Sequence, residues 1–476
     1  MYLGLDLGTS GLKAILIDDA QRVVAQANAG LSVSRPHSGW SEQNADDWLM
    51  ACEEAVLALP AEARAKVQAI GLSGQMHGAT VLDASDRPLA PCILWNDTRS
   101  AAQADAMDAE PGWREITGNI VFPGFTAPKL AWLRDTDPET FGKVRKVLLP
   151  KDYLRLWLTG EHVGEMSDAA GTSWLDTAKR DWSVDLLART GLSRAHMPRL
   201  VEGSDVSGRL RPEVAVKLGL PEVPVAGGGG DNAASAVGLG VTQPGQGFVS
   251  LGTSGVLFAA SDTYSPDPDT AVHTFCHALP GAWHQMGVIL ACTDAVNWAA
   301  GLLGTDAKSF TSGLGALQAP GRGTFLPYLG GERTPLASAD VRGGWVGLEH
   351  STDRAAMARA VLEGVTFALA DCRDALTATG TKIDTLLAVG GGTGSEYWLK
   401  VLATTLDLPL HLPAVADLGG AFGAARLAMI AATGDAAIAT PPSIERTVEP
   451  EPALADAFAE AHTRYERLAH YLKDHP

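Results

Sequence analysis

Apolar positions along the chain follow two rhythms, and the places where one gives way to the other mark its organisation. Residues 1–17 (MYLGLDLGTSGLKAILI) and 246–261 (QGFVSLGTSGVLFAAS) are short apolar runs broken by a small-residue turn, so each predicts strand, tight turn, strand. The pentapeptide Leu7–Gly11 recurs as Leu251–Gly255, 251 − 7 = 244 residues later and near half the chain length, which predicts two related halves. Behind Asn44, a residue suited to cap a helix, Trp48, Ala51, Cys52, Ala55 and Leu59 repeat at helical spacing. Residues Gln68–Asp83 predict a second strand–turn–strand, its turn reading Gly74-Gln75-Met76-His77-Gly78. The cluster Trp95-Asn96-Asp97-Thr98-Arg99 opens a helix. A glycine-rich loop at 118–128 leads into another, with Lys129, Trp132 and Leu133, and residues 150–176 predict a further helix and a loop.

A buried strand, Val223–Ala226, runs into Gly227-Gly228-Gly229-Gly230-Asp231-Asn232 and a small-residue helix ending at Gly240. The second half repeats that design: Leu386–Val389, then Gly390-Gly391-Gly392-Thr393-Gly394, then a helix over 395–406. Helix 353–378 takes the place that helix 44–59 holds in the first half. After a proline-rich link, Leu454, Phe458, Tyr465, Leu468 and Leu472 predict a final amphipathic helix suited to packing or an oligomer contact. Strands alternating with helices in two related halves predict an α/β fold with domains over 1–241 and 242–476.

Length agrees, since 476 residues exceed one ordinary core. A formal charge of −18 without a basic patch excludes nucleic acid and anionic membrane as expected partners. The five cysteines (Cys52, Cys92, Cys276, Cys292, Cys372) are scattered and odd in number, which fits a reducing compartment. With a strand starting almost at Met1 and no long apolar run, the expected location is the cytoplasm. His273, Cys276, His277 and His284 have ligand-like spacing but lack a second spaced pair, which disfavours zinc.

The repeated turn is where the chemistry begins. A Gly-Thr-Ser-Gly turn gathers backbone N–H groups and hydroxyls into a concave anion site suited to phosphate oxygens. A P-loop is excluded, since no Lys-Ser or Lys-Thr follows spaced glycines before a helix. A dinucleotide fingerprint is excluded too, because the strand Leu12–Ile17 and not a helix follows Gly4, Gly8 and Gly11. The copies differ in their charges: Asp6 and Lys13 flank the first turn where Ser250 and Leu257 flank the second. Phosphoryl transfer needs a metal, a held acceptor hydroxyl and a carboxylate to orient it or take its proton. Asp6 is the candidate for the metal side and Asp231 for the acceptor side, and Asp231 equally suits a helix N-cap.

Four motifs together, Asp6-Leu-Gly-Thr-Ser-Gly, Gly228-Gly-Gly-Asp-Asn, Ser250-Leu-Gly-Thr-Ser-Gly and Gly390-Gly-Gly, resemble the FGGY family of carbohydrate kinases. Gly124-Phe-Thr-Ala-Pro-Lys-Leu-Ala-Trp-Leu, and Gly344-Trp-Val-Gly-Leu with Arg359-Ala-Val-Leu-Glu-Gly, resemble its two signatures. Ser34-Arg-Pro-His, Trp40-Ser-Glu-Gln, Gln75-Met-His-Gly, Leu94-Trp-Asn-Asp, Leu149-Pro-Lys-Asp-Tyr-Leu-Arg-Leu and Val272-His-Thr-Phe-Cys-His-Ala-Leu-Pro resemble the members that act on D-xylulose. The resemblance runs from Met1 to about Ala432. It implies two duplicated actin- and hexokinase-like (ribonuclease H-like) domains with a central cleft, and transfer of the γ-phosphoryl of Mg-ATP to the sugar. It implies Asp231 as general base, with Met76, His77, Trp95, Asn96, Asp97 and Asn232 around the pentulose. It implies Thr9, Ser10, Lys13, Gly252, Thr253, Gly391 and Gly392 at ATP, and Asp6 beside magnesium, directly or through water. Adenosine contacts at Thr393-Gly394 stay open. Glycerol is disfavoured, because the family's glycerol kinases carry an arginine–glutamate pair where Met76-His77 stand. A homodimer is expected. Kinases for another ketopentose or a polyol (ribulose, arabinitol), and a nucleotide-gated binding protein of the same fold, are the alternatives.

Overall fold

The computed structural model describes residues 1–414 and 419–475. The chain forms two compact units. The first comprises Met1–Thr242, Phe275–Trp283 and Asp417–Pro441, and the second Gln243–Thr274, His284–Ala416 and Pro442–Pro476. The cut expected after residue 241 therefore coincides with the first of several crossings, since later segments return to the first unit.

The first unit is built on a sheet of β1 (Tyr2–Leu7), β2 (Gly11–Ile17), β3 (Val23–Gly30), β4 (Ala69–Gly74), β5 (Val206–Arg209), β6 (Pro224–Ala226) and β7 (Gly229–Gly230). The order is β5-β6-β4-β1-β2-β3, with β7 also paired to β4. The hairpin β1–β2 is antiparallel, while β1 runs parallel to β4 and β4 to β6. Strand β4 is buried along its whole length because helices cover both faces of this sheet centre. On one side lies the helix Ala45–Leu57, begun by Asn44, whose side chain accepts from Asp46 N, and burying Trp48, Ala51, Cys52 and Ala55. On the other lies the helix Gly420–Thr433, rich in Gly and Ala and buried from Gly420 to Ile430.

That late helix touches backbone directly. A Cβ on Gly4 would come within 1.9 Å of Ala421 O, and one on Gly71 within 1.8 Å of Ala424 O. Gly423 meets the helix Asp231–Leu239 equally closely, with Ala234 O 1.7 Å from where its Cβ would stand. Helix and sheet thus approach nearer than any side chain permits, and residues 420–433 complete the core of the first unit.

The second unit repeats the plan with β8 (Gly245–Leu251), β9 (Gly255–Ser261), β10 (His273–Cys276), β11 (Trp283–Ile289), β12 (Ile383–Val389), β13 (Leu410–Pro413) and β14 (Ile444–Val448), in the order β10-β11-β9-β8-β12-β13-β14. As in the first sheet, a hairpin is followed by two parallel neighbours and an antiparallel edge strand. This is a mixed α/β fold with an internal duplication. Strand β14 lies within the stretch read from sequence as a proline-rich link. The 25-residue helix Arg354–Ala378 runs through the core beside Val249, Leu251, Phe325 and Trp398. The last helix, Ala455–Asp474, buries Phe458, Ala461, Tyr465 and Ala469 against the same core, so packing accounts for its apolar stripe.

Candidate active site

The first hairpin turns over Gly8-Thr9-Ser10-Gly11, closed by Gly8 N donating to Gly11 O (3.0 Å). Gly11 must be glycine, since a Cβ would lie 2.6 Å from Ala29 O on β3. Asp6, at the end of β1, pairs across the hairpin with Lys13 and across the parallel ladder with Ser73. The Ser73 hydroxyl donates to Asp6 Oδ1 (2.8 Å). The first residue of the late helix, Gly420, abuts the same carboxylate, for a Cβ there would sit 2.9 Å from Asp6 Oδ1. The positive end of a helix dipole thus meets this half-buried anion. Burial raises the Asp6 pKa above the usual carboxylate value, while Ser73 and Lys13 pull it back.

Asp231 opens the helix Asp231–Leu239 directly after the glycine run, and Gly230 rather than Asp231 is the cap. The run is tight: Gly228 has φ +79° and a Cβ on it would strike Leu72 O at 2.1 Å. Asn232 N (2.7 Å) and Asn232 Nδ2 (3.0 Å) both donate to Asp231 Oδ1, so Oδ2 is the oxygen without a bond from Asn232. Burial first, and the neighbouring Asp6 charge second, push the Asp231 pKa up to about 6. The two carboxylates therefore share one neighbourhood and repel.

Met76 and His77 lie over that turn. A Cβ on Gly230 would meet Met76 Sδ at 2.8 Å. His77 adopts φ +69°, a left-handed conformation uncommon for a residue with a side chain. Its Nδ1 lies 2.7 Å from Gly171 O, a group that only accepts, so the proton of the neutral ring is on Nδ1. Phe125 stacks on the ring at 4.6 Å. The backbone is pinned as well, with Lys129 Nζ (2.9 Å) and Thr126 Oγ1 (3.2 Å) donating to His77 O. Lys129 is fully buried, which drives its pKa down to about 7.

Around this centre some expected ligand groups are already engaged. Thr9 Oγ1 donates to Gln75 Oε1 (3.0 Å) and accepts from Trp95 Nε1 (2.9 Å), while Gln75 Nε2 donates to Gln43 Oε1 (3.0 Å). The Asp97 carboxylate is buried and accepts from Ser41 N (2.6 Å), Arg99 Nε (2.9 Å) and Arg99 Nη2 (2.7 Å). Its role in the fold is to hold Arg99, which also lies over the Trp40 ring and pairs with Glu42. Trp95 is 40% exposed, whereas Asn96 Oδ1 is buried without a hydrogen-bond partner. Lys13 and Asn232 are half-buried and Ser10 is exposed at the hairpin tip. Sequence reasoning missed Ser73, Gln43, Phe125 and Gly171 as parts of this constellation. Phe125 and Gln43 carried a signal, each inside one of the motifs quoted above.

In the second unit, the carbonyls of Gly252 and Thr253 accept from Thr293 N (2.9 Å) and Cys292 N (2.8 Å), joining the second hairpin to the start of the helix Thr293–Leu302. Gly390 (φ +94°) and Gly392 pack on Leu251, where Cβ atoms would come within 2.7 Å of its backbone and side chain. The neighbouring Gly391 and Gly394 have open space where a Cβ would be. They line a cavity of about 440 Å³ with Thr293, Asn297, Lys308 and Trp398, a size and mix of apolar wall and few polar groups suited to a nucleoside. Thr393 turns inward, its hydroxyl donating to Gly390 O (2.8 Å).

Comparison with known proteins identifies the family. Residues 1–238 match the N-terminal domain, and 247–432 the C-terminal domain, of the FGGY family of carbohydrate kinases. The chain is 50% identical to a xylulose kinase from Escherichia coli (strain K12) over 438 residues, 91% of this chain and 90% of the relative. It is 46% identical to one from Klebsiella pneumoniae over 480 residues, 99% of each. The crystal structure of a xyloylose kinase from Brucella ovis superimposes with a TM-score of 0.98 at 58% identity and covers 100% of both chains.

Proposed function

Because the chain belongs to the FGGY family of carbohydrate kinases, we propose that it transfers the γ-phosphoryl group of ATP to the terminal hydroxyl, O5, of D-xylulose. The observation that carries the chemistry is Asp231, delivered by a glycine turn against which Met76 and, through Gly171, His77 are fixed. With a pKa of about 6, Asp231 is ionised at neutral pH and able to take the proton of the acceptor hydroxyl as the O–P bond forms. His77, held by Gly171 O and stacked on Phe125, forms part of the sugar wall. Trp95, Asn96 and Asn232 complete the sugar wall. Asp97 acts behind them by holding Arg99.

Lys13, Thr9 and Ser10 on the first hairpin, and Gly252 and Thr253 on the second, serve the phosphates, while Gly391 and Gly392 serve adenosine. Asp6 would hold magnesium, directly or through water; the mutual repulsion of Asp6 and Asp231 fits a site that gains from a divalent cation. That ion would supply charge neutralisation at the phosphate oxygens. A homodimer in the cytoplasm completes the proposal, checked by light scattering and cell fractionation. No helix among the described residues is long and apolar enough to cross a membrane.

The decisive assay scores ATP-dependent phosphorylation of D-xylulose against ribulose, arabinitol and glycerol. Equal or higher kcat/KM on any competitor would overturn the substrate assignment. Asp231→Asn is expected to lower kcat by about 10²–10⁴-fold while ATP still binds; unchanged turnover would overturn the base.

A further inference from the structure

The stretch Leu149-Pro-Lys-Asp-Tyr-Leu-Arg-Leu belongs to none of the binding groups above, yet it carries three charged side chains, Lys151, Asp152 and Arg155, that are 2% exposed or less. Two more, Glu165 and Asp168, join them with no exposure at all. Five charges removed from water carry a large desolvation cost, and a buried group of this kind is weak evidence of stabilisation by itself. What it touches is more informative.

Arg155 Nη1 donates to Ala226 O (2.7 Å) and Ser207 Oγ (2.6 Å), and Arg155 Nη2 donates to Gly227 O (2.5 Å). Those two carbonyls begin the turn that ends at Asp231. At its other end, Gly230 N donates to Ser167 Oγ (3.0 Å). The same hydroxyl donates to Glu165 Oε2 (2.8 Å). A hydroxyl has one proton, so the Glu165 carboxylate obliges Ser167 to face Gly230 as an acceptor. Glu165 is fixed in turn by Ser167 N (2.7 Å), Asp168 N (2.9 Å) and Lys151 Nζ (3.2 Å), and Lys151 also ties Asp152 (2.9 Å) and Asp168 (2.8 Å). Between the two ends, Gly227 N and Gly228 N donate to Asp205 O and Gly203 O, and Gly229–Gly230 pair with Ser73–Gly74 of β4.

Four consecutive glycines form the least self-rigid backbone a chain can offer. The glycines are required here because neighbouring carbonyls come too close for any Cβ: Glu202 O to Gly227 and Leu72 O to Gly228. Stiffness at this turn must therefore come from outside it. We infer that Arg155 and Ser167 are positioning residues for phosphoryl transfer, clamping the two ends of the 226–230 turn so that the Asp231 carboxylate is held in register with the acceptor hydroxyl, with Glu165 and Lys151 fixing the direction of the Ser167 hydroxyl. This inference rests on Asp231 being the base.

The test uses Ser167→Ala, which deletes one anchor and leaves the buried charges intact, and Arg155→Lys, which keeps the charge but loses the planar fork. Each is expected to lower kcat by about 10- to 100-fold, the scale of a small misplacement of a reacting group, with the ATP KM unchanged. Hydrogen exchange at the amides of residues 229–231 is expected to quicken in Ser167→Ala but not at the 4–12 hairpin. Ser167→Thr, which retains the hydroxyl, is expected to recover both readouts. Folded variants with wild-type kcat and wild-type exchange at Gly230 would overturn the inference, as would a lowered melting temperature with kcat untouched. A wild-type protein that phosphorylates no sugar would remove the base and this inference with it. The exchange arm separates that case from failure of the clamp alone.

Discussion

At the scale of single residues the proposed sugar pocket depends on atoms that are missing as much as on atoms present. Gly171 lies 94 positions from His77, yet a Cβ there would come within 2.4 Å of His77 Cε1 and 3.1 Å of Met76 Cε. Gly171→Ala is therefore expected to displace the ring and raise the sugar KM by about tenfold, since loss of one well-placed hydrogen bond has roughly that effect. The ATP KM should stay constant; a sugar KM unchanged in steady-state assays would count against His77 as a sugar contact. Asp231 gives a second expectation. Its pKa is raised to about 6, so the active ionised form is lost as pH falls through that value. kcat/KM for the sugar should drop about tenfold per pH unit below pH 6, and Asp231→Glu should move that limb. Asp6 and Asp231 stood out in the sequence because each sits inside a short motif whose chemistry is local, and Met76 and His77 because their motif resembles the family's. Gly171, Ser73 and Ser167 were not. Each acts across a long sequence separation, where a lone glycine or serine looks like any other turn residue.

At the scale of elements, the repeated pentapeptide shows how far a motif reaches. The first copy pairs Leu7 with Leu12 around a four-residue turn, and the second pairs Leu251 with Gly255 around three. Identical residues thus close in registers one step apart, since the neighbours differ: Ala29 O crowds Gly11, whereas the Ile289 side chain crowds Gly255. Sequence carried the hairpins and their duplication but not that offset. It also left the helix Gly420–Thr433 unassigned, because apolar residues fall on every side of it and Arg426 alone sets no period. Such a helix is covered on all sides. Gly4→Ala and Gly71→Ala should each destabilise the first unit by about 1–3 kcal/mol, the usual cost of overpacking. Unfolding in urea measures this, and an unshifted midpoint for both would contradict the direct helix-on-sheet contact. Because Gly420 also abuts Asp6, the same substitutions are expected to lower kcat in protein that remains folded.

At the scale of the whole molecule, the first half of the chain is not a complete unit, because the helix Gly420–Thr433 belongs to it. A chain of residues 1–242 lacks the helix that covers β1 and β4, and it is expected to be aggregated or molten, with weak near-ultraviolet circular dichroism. Fusing residues 419–441 to its end through a flexible linker is expected to restore a cooperative melt. A sharp melt for 1–242 alone would show the helix to be dispensable. The duplication was visible in the sequence because both halves share motifs. The return of the chain to the first unit was not, because the pairing of residues 420–433 with residues 2–7 and 69–74 leaves no trace in either stretch taken alone. This connection has a consequence for biosynthesis. At about 5–20 residues per second, roughly 10–40 s separate the appearance of residue 242 from that of residue 433 at the ribosome. Throughout that interval the nascent sheet of this kinase is expected to present a bare, glycine-lined face and to engage factors that shield emerging chains. Slowed translation between those two points should lower its soluble yield.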